Sequence, residues 1–464
     1  MSDALGKPQT AEKQVSDRMV EKNTMSIFGK NTKKTIYICG HRNPDMDSIC
    51  SALGYANLKN LIDPRNEYIA IRCSHLSDNT KRLLSILDIT PPRYVSNVYP
   101  KVSDVMLATE EKNEASSSML EFARSYRDSN PSAAPVFENG KFCGLITVDD
   151  IANWAMSALH SNDGITEIPT LKEVMHPQEQ FLKTDDLFED AKKMLQNSTT
   201  RGIAVFDGDD YAGYVTRRCF LDAPKYNVIL VDHNELGQSI KGIETANVCE
   251  IIDHHRLDAL KTDMPLFIDA EPLGSTCTIV YQLYLRNGIR PDNNTAKILL
   301  TGIISDTLIL RSPTTTRIDI DSAEALAAIG GVEVEEFGRE MFSHIEGLKS
   351  RQPEAAITAD FKIYDENSVK IGIGQCEATT LDDLEQYRED YLQALEEVRR
   401  ANGLDWAALM VTDVITERSV LLSTSYKAER NLPYTVLCEN VFDMPGVMSR
   451  KKQLLPEMLH AVSA

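Results

Sequence analysis

Apolar and polar positions alternate along the chain in the way expected of an α/β protein. A short β-rich run at 35–39 is followed by a polar turn and then by a helical pattern from Ser48. A second strand pattern from Glu67 and a helical pattern over 79–87 continue this order, which predicts a parallel sheet covered by helices. Residues 1–34 are polar and have no sustained period, so we expect a flexible extension there.

An internal repeat interrupts this pattern between residues 101 and 222. Matching residues recur 69 positions apart without a gap: Val105 and Val174, Val136 and Val205, Gly144 and Gly213, and Thr147 and Thr216. A period of this length exceeds the roughly 20 to 50 residues of solenoid repeats and predicts a duplicated small domain whose copies pair with each other. We expect the copies over 101–160 and 170–222.

The α/β pattern resumes after the repeat, so the first domain is expected in two parts, 35–100 and 223–346. Strand patterns begin at Asn227 and Val248, and the apolar segment from Thr295 is interpreted as a buried helix, although its apolar run also fits a strand. A smaller α/β domain is predicted over 347–464. It begins with the polar link KSRQPEAA and contains strands from Val369 and Ala408 and a charged helix over 381–400.

Composition narrows the classes of function. The chain has 464 residues, 42% of them apolar, which is enough for about three domains. Its formal charge of −20 argues against a nucleic-acid partner, because duplex binding requires Lys and Arg to neutralise phosphates. The nine cysteines form no CxxC pair, which predicts neither a disulfide framework nor a thiolate metal site. No apolar run resembles a membrane span or a signal peptide, so we expect a cytoplasmic protein without a membrane partner.

Four segments rich in acids and histidines follow apolar runs: HRNPDMDS from His41, VDHNE from Val231, IDHHR from Ile252 and SDT from Ser305. Ligands of open α/β sheets bind beyond the carboxyl ends of the strands, so the first three segments can converge although the repeat separates them. Oxygen and imidazole donors without thiolate suit Mn²⁺, Co²⁺, Fe²⁺ or Mg²⁺, and several carboxylates suit two ions.

Asp45 and Asp47 belong to the first of these segments and are two residues apart. In an extended chain both side chains would point to one side, which favours a shared metal site. An Asx turn before a helix N-cap explains the same two acids without a metal, since Pro44 and Ser48 suit such a turn.

Each copy of the repeat resembles a CBS domain, with an apolar segment, a turn, a short strand ending at Thr and then a helix. The strand is GLITVDD from Gly144 in the first copy. The resemblance implies that AMP, ADP or ATP binds between the copies, with Thr147 and Asp150 contacting the ribose, and that the nucleotide inhibits. Cys219 stands where the second copy would need an acid, so one nucleotide per pair is expected. A turn threonine and a helix N-terminal aspartate would also account for Thr147 and Asp150.

The motifs HRNPDMD, VDHNE, DHH at 253–255, SDT with RSPT, and SRKKQ at 449–453 occur in an order that resembles family II inorganic pyrophosphatases of the CBS-containing type, within the DHH phosphoesterase superfamily. The resemblance covers nearly everything after Lys34. It implies an α/β fold in which a parallel-sheet DHH catalytic domain is interrupted by a tandem CBS pair and followed by a smaller α/β DHHA2 domain that binds substrate. It also implies six metal ligands: His41 and Asp45 for one metal, Asp47, His254 and Asp306 for the other, and Asp232 as the bridge.

The resemblance further implies hydrolysis of pyrophosphate to two orthophosphates by a metal-bridging hydroxide, with Asp45 accepting the proton of the water. Two Mn²⁺ or Co²⁺ ions would occupy each site, and Mg²⁺ would arrive with the substrate. Four carboxylates roughly cancel two divalent ions, so the charge of the substrate requires further cations. The resemblance assigns substrate contacts to His255, Arg450, Lys451 and Lys362. Asp253 would orient a histidine, His233 has no clear role, and a homodimer is expected.

Two alternatives remain at the level of the sequence. Other DHH enzymes cleave short oligonucleotides, cyclic dinucleotides or polyphosphate, but they pair DHH with a domain carrying a GGGH motif, and the chain contains no GGG. A nucleotide sensor with a decayed phosphoesterase core is the non-enzymatic alternative. The full ligand set and SRKKQ argue against it.

Overall fold

The computed structural model describes residues 33–109, 113–129, 133–160, 167–178, 180–257, 265–343, 351–366, 368–378, 380–381, 384–413 and 418–463. The predicted extension at 1–34 lies outside these residues except for its last two, and Lys34 already opens the first strand. The described residues form two compact units, one from 99–226 and the other from 33–98 together with 227–463. No described helix is long and apolar enough to span a membrane.

Residues 33–98 form the first half of a sheet and its covering helices. The strands are β1 (Lys34–Cys39), β2 (Asn66–Arg72) and β3 (Arg93–Tyr94), and the helices are α1 (Met46–Ile62) and α2 (Asp78–Ile86). Helix α1 begins where Asp45 caps it, because the carboxylate of Asp45 accepts the amide hydrogen of Ser48 at 2.9 Å. The strand and helix order predicted for this segment is therefore confirmed.

The inserted unit contains two copies of one topology. The first copy has β4 (Asn113–Glu114), β5 (Ala133–Glu138), β6 (Lys141–Thr147), α3 (Met119–Ser129) and α4 (Val148–His160), and the second has α5 (Leu171–Val174), β7 (Phe181–Lys183), α6 (Phe188–Asn197), β8 (Gly202–Asp207) and β9 (Asp210–Thr216). Each copy forms a three-stranded sheet in chain order, and both sheets shift register at the repeated Val-Phe step. The predicted duplication is confirmed.

The helix expected after the last strand of each repeat differs between the copies. Thr147 is followed by the 13-residue α4, whereas Thr216 is followed by a 3₁₀ turn at Arg217–Phe220. Pro224 lies shortly after this turn, and a proline restricts the residue before it to extended conformations. The prediction of a second helix is therefore wrong.

Residues 227–343 return to the first sheet. They form β10 (Asn227–Val231), β11 (Asn247–Asp253), β12 (Phe267–Ala270), α7 (Thr276–Arg286), α8 (Asn293–Thr307), α9 (Arg317–Gly330) and α10 (Val334–Ser343). The strand order is β12-β11-β10-β1-β2-β3, and all neighbours are parallel. Strand β10 pairs with β1, so the strand order reverses beside β1, where ligands of such sheets bind. The segment from Thr295 is a helix, which removes the strand alternative.

The C-terminal residues form a mixed sheet with helices. Its elements are α11 (Pro353–Ala359), β13 (Phe361–Glu366), β14 (Val369–Ala378), α12 (Leu384–Ala401), β15 (Trp406–Asp413), β16 (Arg418–Ser423), β17 (Thr435–Cys438), β18 (Val441–Pro445), a π-helical turn at Arg450–Leu454, and α13 (Leu455–Ser463). The strand order is β13-β14-β15-β16-β18-β17. The end of the predicted polar link is helical, because Pro353 sits at the first position of α11, where its fixed φ suits a helix.

Candidate metal centre

The predicted metal ligands meet at the carboxyl edge of the parallel sheet. His41 lies two residues beyond β1, Asp232 directly follows β10, and His254 directly follows β11. The last turn of α8 adds Asp306. Parallel neighbours end at the same edge, so segments that are distant in the chain deliver their side chains to one place.

Asp232 lies between two histidines and presents one carboxylate oxygen to each. His41 Nε2 is 3.2 Å from Asp232 Oδ2 and 3.4 Å from Asp45 Oδ2. His254 Nε2 is 3.5 Å from Asp232 Oδ1 and 3.4 Å from Asp306 Oδ2. The candidate ligand atoms form three overlapping groups, in each of which all atoms lie within 4.8 Å of one another. Asp232 belongs to a group with His41 and Asp45 and to another with His254 and His255, and His254 also belongs to a third group with Asp47 and Asp306.

The two histidines present the nitrogen that a metal needs. His41 Nδ1 lies 2.7 Å from the carbonyl oxygen of Arg42, and His254 Nδ1 lies 3.1 Å from that of Leu273. A carbonyl can only accept, so Nδ1 of each ring carries a proton, and in the neutral ring Nε2 has the lone pair that a metal would use. His254 Nε2 is buried and has no hydrogen-bond partner among the described residues. A buried nitrogen without a partner is unfavourable, and a metal ion would remove that cost.

Asp45 and Asp47 approach the site in a different way from the one predicted. Asp45 caps α1 and Asp47 lies in its first turn, so the two acids do not share one side of an extended segment. The predicted N-cap is present, and the same Asp45 carboxylate also faces His41. The cap and the ligand position are therefore compatible in one residue.

Asp47 is fully buried and held by the start of α7. Its carboxylate accepts hydrogen bonds from Ser275 Oγ at 2.6 Å, the Thr276 amide at 2.7 Å and the Cys277 amide at 3.0 Å. These donors favour the ionised form, but burial and the charge of Asp232 outweigh them and raise the pKa of Asp47 to about 6. Each carboxylate oxygen has two lone pairs, so these contacts leave acceptor capacity for a cation.

The carboxylates of the centre lie close together, and their negative charges repel one another unless cations lie between them. Burial, followed by repulsion from Asp47 and then Asp45 and Asp232, raises the pKa of Asp306 well above its usual range. Burial disfavours a charged His41, yet the carboxylates of Asp45 and Asp232 outweigh it and raise the pKa of His41 well above its ordinary value. Divalent ions between these groups would relieve both effects, so the residues fit a pair of such ions.

The loop before α7 supports the site and was missed by the sequence analysis. Ser275 bonds to Asp47, and Thr276 Oγ1 donates to Asp232 Oδ1 at 3.1 Å. Ser275 is the N-cap of α7, and a Ser-Thr pair before an apolar run is a recognisable helix start. That signal predicts the cap, but it gives no indication that the hydroxyls face two carboxylates.

Asp319 in α9 holds this loop in place. Its position in the sequence predicts a capping role at the start of α9 but not this contact with the loop. The buried carboxylate accepts hydrogen bonds from the Gly274 amide at 2.9 Å, Thr278 Oγ1 at 2.6 Å and Thr316 Oγ1 at 2.7 Å. A Cβ on Gly274 would lie 2.9 Å from the same carboxylate. Asp319 therefore acts through the loop that orients His254 and Asp47.

The backbone is strained at two places beside the site. Asp232 has φ 60°, and Leu308, Ile309 and Leu310 have φ between 51° and 63° in succession, directly after α8. The left-handed region costs a residue with a side chain roughly 1–2 kcal/mol. Such strain often marks functional sites, and here it occurs at one predicted ligand, Asp232, and two residues after another, Asp306.

His255 and its neighbours form a chain of hydrogen bonds behind the carboxylates. Asn234 Nδ2 donates to Asp253 Oδ2 at 2.6 Å, and His255 Nδ1 lies 2.7 Å from Asp253 Oδ1. Asp253 thus orients a histidine in the manner predicted. Burial, with His254 and Lys451, lowers the pKa of His255 well below its ordinary value, so the ring is neutral. His233 is buried, with Nδ1 at 2.9 Å from the carbonyl oxygen of Val231.

Two lysines of the C-terminal residues lie within electrostatic reach of the acids. Burial, Lys362 and Arg450 lower the pKa of Lys451 to about 8, although Asp232 and Asp306 act in the opposite direction. The charge of Lys362 contributes to lowering the pKa of Asp45. Arg450 is placed differently, since its guanidinium is 4% exposed and bonds to Asp360 rather than pointing outward. A buried guanidinium requires a counter-charge, which Asp360 supplies.

Thr147 and Asp150 cap a helix in the inserted unit. Asp150 Oδ2 accepts the amide and hydroxyl hydrogens of Thr147, each at 2.7 Å. The same unit contains a cavity of about 380 Å³ lined by residues that include His176, Gln178, Asn197 and Thr200. The His176 backbone pairs with Leu145 of the strand that ends at Thr147. The predicted ribose contacts are therefore close in the fold to this cavity, but they are not among its lining residues.

Two family models match the chain. One, described as the DHH family N-terminal domain, matches residues 35–303, and the other, described as the DHHA2 domain, matches residues 339–461. These matches cover the two parts of the parallel sheet and the C-terminal sheet.

Relatives with known names match over most of their own length. A cobalt-dependent inorganic pyrophosphatase of Clostridium perfringens is 28% identical over 93% of this chain and 99% of its own. A manganese-dependent inorganic pyrophosphatase of Methanocaldococcus jannaschii is 38% identical over 50% of this chain and 79% of its own. A crystal structure of a Methanococcus jannaschii chain assigned to family II inorganic pyrophosphatases is 24% identical, with a TM-score of 0.57 over 92% of this chain and 100% of that one, which shows the shared fold.

Proposed function

Since the chain belongs to the DHH family, and within it to the family II inorganic pyrophosphatases, we propose that it is a metal-dependent enzyme that hydrolyses pyrophosphate to two orthophosphates. The observation that carries this proposal is the position of Asp232 between His41 and His254, each of which belongs to a group of candidate metal ligands. Cobalt and manganese appear in the names of the relatives, which supports Mn²⁺ or Co²⁺ as the resident ions.

The six predicted ligands would hold two divalent ions. His41, Asp45 and Asp232 form one group, and Asp47, His254 and Asp306 form the other. When bound, such ions lower the pKa of a coordinated water to supply the attacking hydroxide and offset charge on the phosphoryl oxygens. The absence of thiolate from both groups favours Mn²⁺ or Co²⁺ over a structural zinc, and Mg²⁺ suits delivery with the substrate, since it retains its waters.

The remaining residues bind and orient the substrate and move its protons. Asp45 is the proton acceptor that the family resemblance implies, and its carboxylate is ionised, because His41 outweighs the effect of burial and lowers the pKa of Asp45 well below its usual range. Lys362 and Lys451 supply positive charge for the phosphate oxygens, and His255 offers a neutral ring fixed by Asp253. Arg450 supports this set from within the C-terminal residues.

Phosphate release from pyrophosphate in the presence of Mn²⁺ or Co²⁺ tests the substrate assignment. A short oligonucleotide and a polyphosphate serve as competing substrates, because other DHH enzymes cleave them. We expect rapid release from pyrophosphate and little from the other two. Release from the oligonucleotide with none from pyrophosphate would overturn the assignment.

We also propose that the inserted unit binds AMP or ADP and that the bound nucleotide inhibits hydrolysis. The cavity beside His176 and the adjacent Thr147–Asp150 turn support this proposal. The Asp150→Asn variant keeps an acceptor for the cap but removes the charge, and we expect it to weaken AMP binding measured by calorimetry. The exposed Asp190→Asn on α6 is the control. An activity that does not respond to AMP or ADP would refute the inhibition.

We further propose a cytoplasmic homodimer. All nine cysteines are free thiols, which suits a reducing compartment. Helix α4 has no buried residue and exposes Met156 and Leu159, so it offers apolar surface for a second subunit. Light scattering coupled to gel filtration measures the mass, and a monomer at micromolar concentration would contradict the proposal.

A further inference from the structure

The two lysines that face the carboxylates come from separate segments. Lys362 lies on β13, and Lys451 lies in the π-helical turn near the C-terminus. Their ammonium groups repel each other, and this repulsion contributes to lowering the pKa of Lys451. Before the substrate binds, its negative charge cannot offset this repulsion between the two lysines. The protein must therefore hold the two segments in register by other contacts.

One ion pair joins the two segments. Arg450 immediately precedes Lys451, and Asp360 lies two residues before Lys362. Arg450 Nη2 is 2.9 Å from Asp360 Oδ1, and Arg450 Nη1 donates to the Asp360 carbonyl oxygen at 2.7 Å. Asp360 thus binds the guanidinium through its side chain and its backbone at once, and hydrogen bonds between ions are about twice as strong as neutral ones.

Further contacts fix the same arginine from the neighbouring strand. The Arg450 amide donates to Gln375 Oε1 at 3.3 Å, and Arg450 Nη1 also lies 3.4 Å from the carbonyl oxygen of Ile373. Both partners belong to β14, which pairs with β13. Arg450 therefore ties the π-helical turn to the edge of the sheet that carries Lys362.

We propose that Asp360 is a positioning residue for the substrate, which holds Arg450 so that Lys451 and Lys362 present their ammonium groups together to the bound anion. The inference rests on the proposed pyrophosphatase function. Asp360 is not one of the proposed metal ligands, and its negative charge cannot attract a phosphate. Its removal therefore changes substrate binding through the positions of the two lysines. Loss of its charge also deprives the buried guanidinium of its ion-pair partner and allows the turn to move.

The test compares Asp360→Asn with Asp365→Asn. Asp365 is exposed on the same strand and is a matched control. We expect Asp360→Asn to raise KM for pyrophosphate about tenfold, because one charge-assisted hydrogen bond is lost, with kcat changed less and Mn²⁺ affinity unchanged. The Asp360→Glu variant should recover most of the wild-type KM, and Asp365→Asn should match the wild type.

A second readout needs no turnover. Calorimetry measures the binding of methylenediphosphonate, a pyrophosphate analogue that cannot be hydrolysed, to the Mn²⁺-loaded protein. Weaker binding by about tenfold in Asp360→Asn supports the inference. Combination with Arg450→Gln should add little, since both changes break one contact.

The possible failures are distinguishable. A wild-type protein that does not hydrolyse pyrophosphate refutes the proposed function. A wild type that does, together with an Asp360→Asn variant whose KM and analogue affinity are unchanged, refutes the positioning role alone. Loss of Mn²⁺ affinity in Asp360→Asn, or full additivity with Arg450→Gln, would also overturn it.

Discussion

The carboxylate of Asp232 faces both histidines of the predicted metal centre. One of its oxygens faces His41 and the other faces His254, while Thr276 donates to the second. The left-handed backbone conformation of Asp232 is energetically unfavourable, and it directs the side chain towards both histidines. The sequence motif predicts an acid at this position, but the division of its two oxygens between the histidines follows only from how the strands meet.

Replacement of Asp232 by Asn should impair both metal positions at once. The neutral amide keeps the size of the side chain but removes the charge that faces both His41 and His254. We expect Mn²⁺ affinity to fall by at least tenfold at both sites, measured by equilibrium dialysis. Asp78→Asn, on the exposed first turn of α2, is the control. Loss of a single ion with the other bound normally would contradict the bridging position.

Replacement of Asp319 by Asn should act on the metal centre from a distance. The amide cannot accept all of the hydrogen bonds from Gly274, Thr278 and Thr316, so the loop that orients His254 loosens. We expect a roughly tenfold lower Mn²⁺ affinity and an altered visible spectrum of the Co²⁺ form. Asp321→Asn, exposed on the same helix, should change neither. An unchanged Co²⁺ spectrum in Asp319→Asn would contradict this role.

At the scale of elements, helix α8 lies very close to the start of α7. Gly302 permits this approach, because a Cβ there would lie 2.3 Å from Cys277 Sγ and 2.9 Å from Asp47 Oδ1. The glycine weakens α8 as a helix by about 1 kcal/mol relative to alanine. The close packing brings Asp306 and Asp47 into one group, so function and helix propensity oppose each other here.

Gly302→Ala should therefore destabilise the protein despite the better helix propensity of alanine. Overpacking of a close contact costs about 1–3 kcal/mol, which exceeds the gain of about 1 kcal/mol in propensity. Urea denaturation measures the free energy of unfolding. Gly237→Ala is the control, since nothing lies within 4 Å of a Cβ there. A Gly302→Ala variant that is more stable than the wild type would contradict this prediction and would show that the neighbouring side chains can move away from the added methyl group.

The sequence predicts elements well where local pattern decides them. Alternating strands and helices, the repeat and the acids at strand ends all follow from residue type and spacing. Two predictions about elements are wrong: the end of the polar link forms the start of α11, and the second repeat ends in a 3₁₀ turn instead of a helix. A proline lies near both places, and the sequence alone does not show whether a proline begins a helix or follows a turn. The support from Ser275 and Asp319 depends on contacts between elements, which no local pattern reveals.

At the scale of the whole molecule, the inserted unit interrupts the chain without interrupting the sheet. Strands β1 and β10 are adjacent and parallel although the insert lies between them in sequence. The metal centre therefore forms from residues on both sides of the insert. The insertion places the repeat unit between the two parts of the sheet in the chain, while the predicted ligands stay together in the fold.

Metal removal should destabilise the sheet unit. Four buried or partly buried carboxylates repel one another without cations, and bound ions stabilise only the folded form. We expect Mn²⁺ at about 100 times its Kd to add roughly 2.7 kcal/mol of stability for each bound ion over the chelated protein, seen as a higher Tm by calorimetry. Asp306→Asn should reduce this increase. Equal Tm values with chelator and with Mn²⁺ would contradict a structural metal pair.

The central claim is that this metal centre hydrolyses pyrophosphate. The most direct measurement is phosphate release from pyrophosphate by protein stripped with a chelator, before and after addition of Mn²⁺ or Co²⁺, beside Asp232→Asn treated in the same way. The structure predicts negligible release from the stripped protein, full recovery with either ion, and almost none from the variant. Equal release by the stripped and reloaded protein, or by the variant and the wild type, would contradict the claim.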